Sequence, residues 1–467
     1  MFRLILFTCC SVFVLCAQEL PTDYLTPEFH AERRAAVRKQ MPPNSVAVFF
    51  ANPIRNRSND VDYRYHQDPN FYYLTGFKEP HAMFLLYKNP IEIDGFQMDE
   101  ILFVQERNAE RERWDGSRLG VEGVKAQLGI VHAYFNTAFE SFTTQFDRFD
   151  KVLFFDFQND VRDHASNDVD LHALMQSFKK KTKTAHLDSS TLGDIMNDLR
   201  EIKQPEELVL LKKAINISAV GQIEVMKAMH PNMSELEIQG IHEFVYKKYG
   251  AEYEGYTSIV GSGHNGCILH YNQSIKPRVG SDLVLMDLGA EYHSYTADIS
   301  RTIPANGIFS KAQRAIYDIV FEAQKAGVAA AVVGANMRAP HRAALAEIEK
   351  GLKTLGIIKD ENEARRYFPH GTSHYLGLDV HDAGTYNALR QNSVITVEPG
   401  IYIPDNSPCD PKWWGIAIRI EDDILITNDG PINLSASVPR SAAAIEAMMQ
   451  QPSALDDFIL PELGTLE

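Results

Sequence analysis

The run Leu283–Thr302, LVLMDLGAEYHSYTADISRT, constrains this chain more than any other stretch. Two arms rich in apolar and β-branched residues flank a turn-like centre at Tyr292-His293-Ser294, a pattern that predicts a β-hairpin. Each arm carries one aspartate, Asp287 and Asp298, and a turn centred there sets them opposite or nearly opposite across the ladder. Like charges so placed repel. The arm around Asp287 is apolar on both strand faces, so its carboxylate would be buried at considerable cost. A bound cation removes both objections, and the metal reading begins here.

The same unit recurs. His270 precedes Asp287 by 17 residues, and His381 precedes Glu398 by 17, with Asp298 and Glu421 following beyond a turn in each case. The second turn region, PDNSPCDPKWWG, is longer and centres on Cys409-Asp410 amid turn residues. Helix-like segments, 206–229 and 310–331, precede the two units. Two half-domains, each with an acid on both arms of a hairpin, can face one another and converge four carboxylates on one pocket.

His374 supplies the nitrogen donor. It lies in HGTSHYLGLDVHDAG with His370 four residues before and His381 seven after. A helix would put His370 and His374 on one face, but Gly371, Thr372 and Ser373 make a poor helix interior, so that geometry is not expected. In GIAIRIEDDILIT, strand alternation puts Arg419, Glu421 and Asp423 on one face and Ile418, Ile420 and Asp422 on the other. Arg419 is then placed to hold a substrate or orient a carboxylate. Cys267 and His270 point to opposite faces of a strand, so joint ligation is not expected and Cys267 reads as a core thiol. Four carboxylates and one imidazole form a hard, oxygen-rich set that suits manganese or magnesium, with cobalt and zinc left open. Two close divalent ions can hold a bridging hydroxide at neutral pH and polarise a carbonyl beside it. From the residues alone the reading is metal-assisted hydrolysis of a carbonyl or phosphoryl compound.

The rest of the chain reads as scaffold and address. Residues 26–199 alternate helical and strand-like pieces: a helix over 28–41, a strand over 45–53 ended by Pro53, further strands MFLLYK, EILFVQ and KVLFFDF, and the helical VDLHALMQSFKKK. This predicts an α/β domain over 25–200. Pro205 followed by two glutamates marks a helix start, so the catalytic domain is placed at 201–450, with the Ala- and Met-rich tail after Pro439 expected to be peripheral. Residues 1–17 (Arg3, then LILFTCCSVFVLCA) read as a secretory signal too short to span a bilayer comfortably, which makes a periplasmic or secreted address the expectation; an uncleaved anchor or a lipidated Cys16 are the alternatives. Three of the 5 cysteines fall in that signal; Cys267 and Cys409 remain and are expected to be buried free thiols, with one disulfide between them as the alternative. The net charge of −16 argues against nucleic acid as a partner.

These blocks closely resemble the proline-specific metallopeptidases of the pita-bread fold, aminopeptidase P above all. IVGSGHNGCILHY, MDLGAEYHSYTADISRT, HGTSHYLGLDVHDAG, TVEPGIYI and GIAIRIEDDILIT occur in that family's order, and NRSNDVDYRYHQDPNFYYLTGFKEP is similar to its N-terminal domain. The resemblance implies a pita-bread catalytic domain of two pseudo-symmetric halves behind an α/β domain. It implies that Asp287, Asp298, His374, Glu398 and Glu421 ligate two divalent ions, most readily Mn2+, with Asp298 and Glu421 bridging. Asp287 would then complete one ion's shell, and His374 with Glu398 the other's. Glu398 would take a proton from the bridging water, and His270 and His381 would contact substrate and assist proton transfer. Arg419 would orient His381 or the substrate, and His370 and Tyr402 would line the pocket. Trp114, in RWDGSRLG, matches a block that in the family reaches a neighbouring subunit's site, and the family's habit implies a dimer or tetramer. His264 and Ala297 stand where the family often has glutamate and glycine; neither is a ligand. The implied reaction is removal of an N-terminal residue from peptides with proline second. That bond is a tertiary amide without N–H, which enzymes that grip the scissile N–H cannot use. A prolidase acting on Xaa-Pro dipeptides is the alternative. Methionine aminopeptidases lack such a first domain, creatinase works without metals, and a binding module on this fold would have lost ligands.

Overall fold

The computed structural model describes residues 23–157, 161, 170–458 and 460; the predicted signal, residues 1–17, lies outside them. Among the described residues, no helix is long and apolar enough to cross a membrane.

The first part is built as expected on a mixed six-stranded sheet. Its order is Ala133–Phe135, Phe96–Val104, Met83–Ile93, Ser45–Phe50, Lys151–Phe154, Leu187–Asp188. The first predicted helix spans Pro27–Gln40, capped by Thr26, whose hydroxyl accepts from Phe29 N at 3.3 Å. The strand expected over 45–53 stops at Phe50, where the facing strand of Met83–Ile93 begins and the ladder runs out of partners. One buried cluster runs from Phe71, Leu74 and Phe77 of this part to Leu210, Leu211 and Ile215 of the next helix, so the two parts share apolar packing.

The long helix Pro205–Ala228 starts where the sequence predicts. Pro205 occupies its first turn, and Glu207 Oε2 accepts from Gln204 N at 2.8 Å. Beyond it the chain repeats itself. Helices Pro205–Ala228 and Glu235–Lys248 precede the first hairpin; helices Lys311–Ala330 and Ala339–Thr354 precede the second. In the first hairpin, Leu283–Leu288 pairs with Ile299–Pro304, and Ala290–Tyr292 pairs with Tyr295–Thr296. In the second, Val394–Val397 pairs with Asp422–Thr427, and Gly400–Ile403 with Ile416–Arg419. Each hairpin therefore has an inner and an outer pair, with a break in both arms between them. His293 and Ser294, at φ 49° and 72°, close the first as a two-residue turn whose twist suits antiparallel strands.

Two expectations need correction. The turn falls one residue later than expected, at His293-Ser294, so the aspartates are nearly opposite in a diagonal arrangement: Asp287 pairs with Ser300, two residues from Asp298, on the same face of the ladder. The tail is not peripheral up to residue 449. Helix Ala442–Met448 buries Ala442 and Ile445, and the fully buried Arg301 donates to the Pro439 carbonyl at 2.9 Å and to Asp422 Oδ1 at 2.7 Å. Arg301 needs acceptors in an apolar interior, and the tail's Pro439 carbonyl joins those of Ser300, Glu421 and Val438 in supplying them.

Candidate metal centre

Asp298, Glu398 and Glu421 all fall in the breaks between inner and outer pairs, and Asp287 sits two residues before one. A residue in a break is released from the ladder while its neighbours remain fixed, so its side chain is aimed by two rigid strands. Gly289 makes the first break possible. A Cβ there would strike the Ala297 carbonyl, which packs against the glycine as the arms separate.

The two hairpins meet at these breaks. Asp298 N donates to Asp423 Oδ2 at 3.3 Å, Glu421 N to the Ser300 carbonyl at 3.1 Å, and Ser300 Oγ to Glu421 Oε2 at 2.7 Å. Asp298, His374 and Glu421 thereby bring one ligand atom each within 4.8 Å of one another. His374 Nε2 is 3.4 Å from Asp298 Oδ2 and 3.5 Å from Glu398 Oε1. Its Nδ1 lies 3.0 Å from the Tyr375 carbonyl, a contact that requires the proton on Nδ1 and leaves the Nε2 lone pair for a cation. Residues 368–374 are not helical, as expected, so His370 and His374 form no i,i+4 pair.

Of the ten site residues named from the sequence, nine are brought together on one cavity. His270, Asp287, Asp298, His370, His374, His381, Glu398, Arg419 and Glu421 line a single cavity of about 310 Å³. Tyr402 stands behind it: its hydroxyl is 2.9 Å from His370 Nε2 and accepts from Arg419 Nη1 at 2.9 Å. Arg419 also donates to Ser300 Oγ at 2.8 Å and to Asp287 Oδ2 at 2.5 Å. Trp114 does not line the cavity and is 88% exposed. Cys267 and Cys409 are free thiols, half-buried rather than buried, and burial pushes the Cys267 thiol up to about 11.

Three residues were not legible beforehand. The Tyr256 hydroxyl is 2.6 Å from Asp287 Oδ1 and 2.5 Å from Asp298 Oδ1. Ser300 joins Arg419 to Glu421, and Tyr386, at φ 54°, lines the cavity mouth. Tyr256 sits just before Ile259–Ser262, whose pairing with Leu283–Leu288 sets Ile259 against Asp287. That non-local pairing leaves no local sequence signal.

The electrostatics agree with a cation site. Burial and the facing Asp287 and Asp423 carboxylates hold Asp298 well above the ordinary carboxylate range; burial with Asp298 and Glu398 does the same to Glu421. Burial also raises Glu398. Burial would raise Asp287 too, but the Arg419 guanidinium outweighs it and holds that carboxyl low. One guanidinium cannot neutralise four clustered carboxylates. The donor set of four carboxylates and one imidazole fits hard divalent ions that would complete the neutralisation.

Comparison with known proteins agrees with this geometry. Residues 209–428 match the model of metallopeptidase family M24, and residues 30–153 that of the aminopeptidase P N-terminal domain. The chain is 37% identical to the Xaa-Pro aminopeptidase of Escherichia coli over 442 residues, covering 90% of this chain and 97% of that protein. It is 36% identical to the Xaa-Pro aminopeptidase of Haemophilus influenzae, covering 91% and 98%. The solved structure of aminopeptidase P from E. coli with the inhibitor Pro-Leu superposes with a TM-score of 0.82 at 35% identity, covering 91% of this chain and 98% of that one.

Proposed function

The chain belongs to metallopeptidase family M24 and, within it, to the Xaa-Pro aminopeptidases; from that premise we propose that it removes the N-terminal residue from peptides of three or more residues with proline second, using two divalent ions, manganese by preference. The observation that supports this reading most is the convergence of Asp298, His374 and Glu421 from three separate segments on one cavity beside Asp287 and Glu398.

Asp287, Asp298, His374, Glu398 and Glu421 would hold the ions. Divalent ions held there would supply Lewis acidity, making water a better nucleophile and polarising the scissile carbonyl. The protein's own groups do the rest. Glu398 takes the proton of the attacking water on its carboxylate and passes it to the proline nitrogen, which must be protonated to leave. His270 and His381, both on the cavity wall, hold the carbonyl oxygen as its charge develops. Arg419, Tyr402 and His370 form a hydrogen-bonded wall for the proline ring. No group need grip a scissile N–H, which a tertiary amide lacks. A periplasmic or secreted address and a homo-oligomer, dimer or tetramer, complete the proposal.

Release of the first residue from Xaa-Pro-Yaa and from the matching Xaa-Pro dipeptide, with manganese-loaded enzyme and Asp298→Asn as the inactive control, tests it. Faster cleavage of the tripeptide, abolished by the substitution, is expected. Cleavage of the dipeptide alone would make the enzyme a prolidase.

A further inference from the structure

His381 reaches the cavity from a stretch, residues 376–384, that has neither helix nor strand to fix it. Its ring makes an edge contact with His374 at 4.5 Å between centroids, and among the described residues no hydrogen bond orients it. The neighbouring residue is held very differently. Asp382 is 3% exposed; Lys203 Nζ donates to its Oδ2 at 2.6 Å, and Arg200 Nη2 donates to its Oδ1. Arg200 Nη2 also donates to Asp379 Oδ2 at 2.8 Å, and Lys203 Nζ to the Arg200 carbonyl. Two cations and two carboxylates balance in this buried cluster. Gly377 lies against it: a Cβ there would strike the Asp382 carboxylate and Lys203.

The grip extends along the loop. Glu201 Oε2 accepts from Thr385 N at 2.8 Å and its Oε1 from Arg390 Nε at 2.7 Å. Lys203 N donates to the Asn392 carbonyl at 3.0 Å, and Thr296 N, two residues from Asp298, to the Gly377 carbonyl at 2.8 Å. Arg200 Nη1 reaches back to Asn70 Oδ1 at 2.8 Å, in the first part of the chain. The segment between the two parts therefore holds the whole loop at both ends.

We propose that Asp382, clamped by Arg200 and Lys203, is a positioning residue for His381, so that the segment joining the two parts of the chain sets the place of that histidine in the site. This rests on the role given to His381 above. A buried ion pair with a satisfied geometry adds little net stability over an apolar replacement, but fixes one arrangement. A displacement of about 1 Å at a catalytic group can cost on the order of a hundredfold in rate.

The test is a double-mutant cycle on kcat and KM for Ala-Pro-Ala with manganese-loaded enzyme. Lys203→Met is expected to lower kcat about tenfold or more with little change in KM, and Lys203→Arg to restore most of it. In a His381→Ala background, Lys203→Met is expected to change kcat less than twofold. Asp379→Asn, at the more exposed edge of the cluster, replaces Lys203→Met in the same cycle if that variant does not fold. An equal loss of kcat with and without His381, or no loss in either, overturns the proposal while leaving the peptidase reading intact. No effect of His381→Ala itself overturns both the proposal and the role given to that histidine.

Discussion

Arg419 Nη2 lies 2.5 Å from Asp287 Oδ2, and this ion pair joins the second hairpin to the first across the cavity. The same guanidinium bonds Tyr402 and Ser300, so three directions of its planar fork are used. A lysine can supply the charge but not the fork. Arg419→Lys should therefore lower kcat/KM on a proline tripeptide by roughly tenfold to a hundredfold while the fold persists, as steady-state kinetics and circular dichroism would show.

Tyr256 touches two of the expected ligands and nothing in the reaction requires its proton. Partners behind metal ligands typically cost about tenfold to a hundredfold in metal affinity when removed. Tyr256→Phe should weaken manganese binding by that factor in titration calorimetry, with kcat largely recovered at saturating metal. Unchanged affinity would show that the hydroxyl does not orient Asp287 and Asp298.

Removing the metal should leave Asp287, Asp298, Glu398 and Glu421 facing one another with Arg419 as the cation among them. Repulsion then works against the fold. Chelation should lower the unfolding temperature, manganese should restore it, and in Glu421→Gln the drop on chelation should be smaller, since one like charge is gone.

Burial lowers the His242 imidazole to about 3, and both its ring nitrogens lack partners among the described residues. The unfolded chain takes up this proton near the usual value of about 6.5, before the folded protein does. The stability that neutral His242 contributes is thus present above pH ~6.5 and is lost as pH falls toward about 3, by at most about 1.4 kcal/mol per pH unit. Urea midpoints at pH 7 and pH 5 should differ less for His242→Phe than for the wild type.

Gly289→Ala forces a methyl onto the Ala297 carbonyl, beside Asp298. The variant should lose about 3 kcal/mol, the upper end of overpacking costs. It should also bind metal substoichiometrically, because the break that aims Asp298 cannot form.

The sequence carried the hairpin, the repeat and the residues lining the cavity because these depend on local patterns: alternation, turn residues and a fixed spacing of histidine to acid. It placed Asp287 opposite or nearly opposite Asp298 with the turn centred near Tyr292-His293; the turn falls one residue later, at His293-Ser294, and sets them diagonal, because turn position decides such a register. Tyr256 and Ser300 escaped notice because their roles arise where strands distant in sequence pair. The tail looked peripheral because its Ala- and Met-rich composition does not show that Arg301, far earlier in the chain, needs its carbonyls. Trp114 was singled out by resemblance, and the isolated chain offers it no partner in the cavity.

Arg301 draws on Asp422 and the carbonyls of Val438 and Pro439, and it sits among strands that carry the first pair of acids. The first hairpin cannot reach its final environment until a segment more than a hundred residues later has left the ribosome. A nascent chain that already displays Asp287 and Asp298 is still without its counterpart acids and without most of the acceptors for that guanidinium. Hydrolytic competence thus needs both halves of the repeat, and the first half alone, however well formed, is a binding surface with half its acids missing.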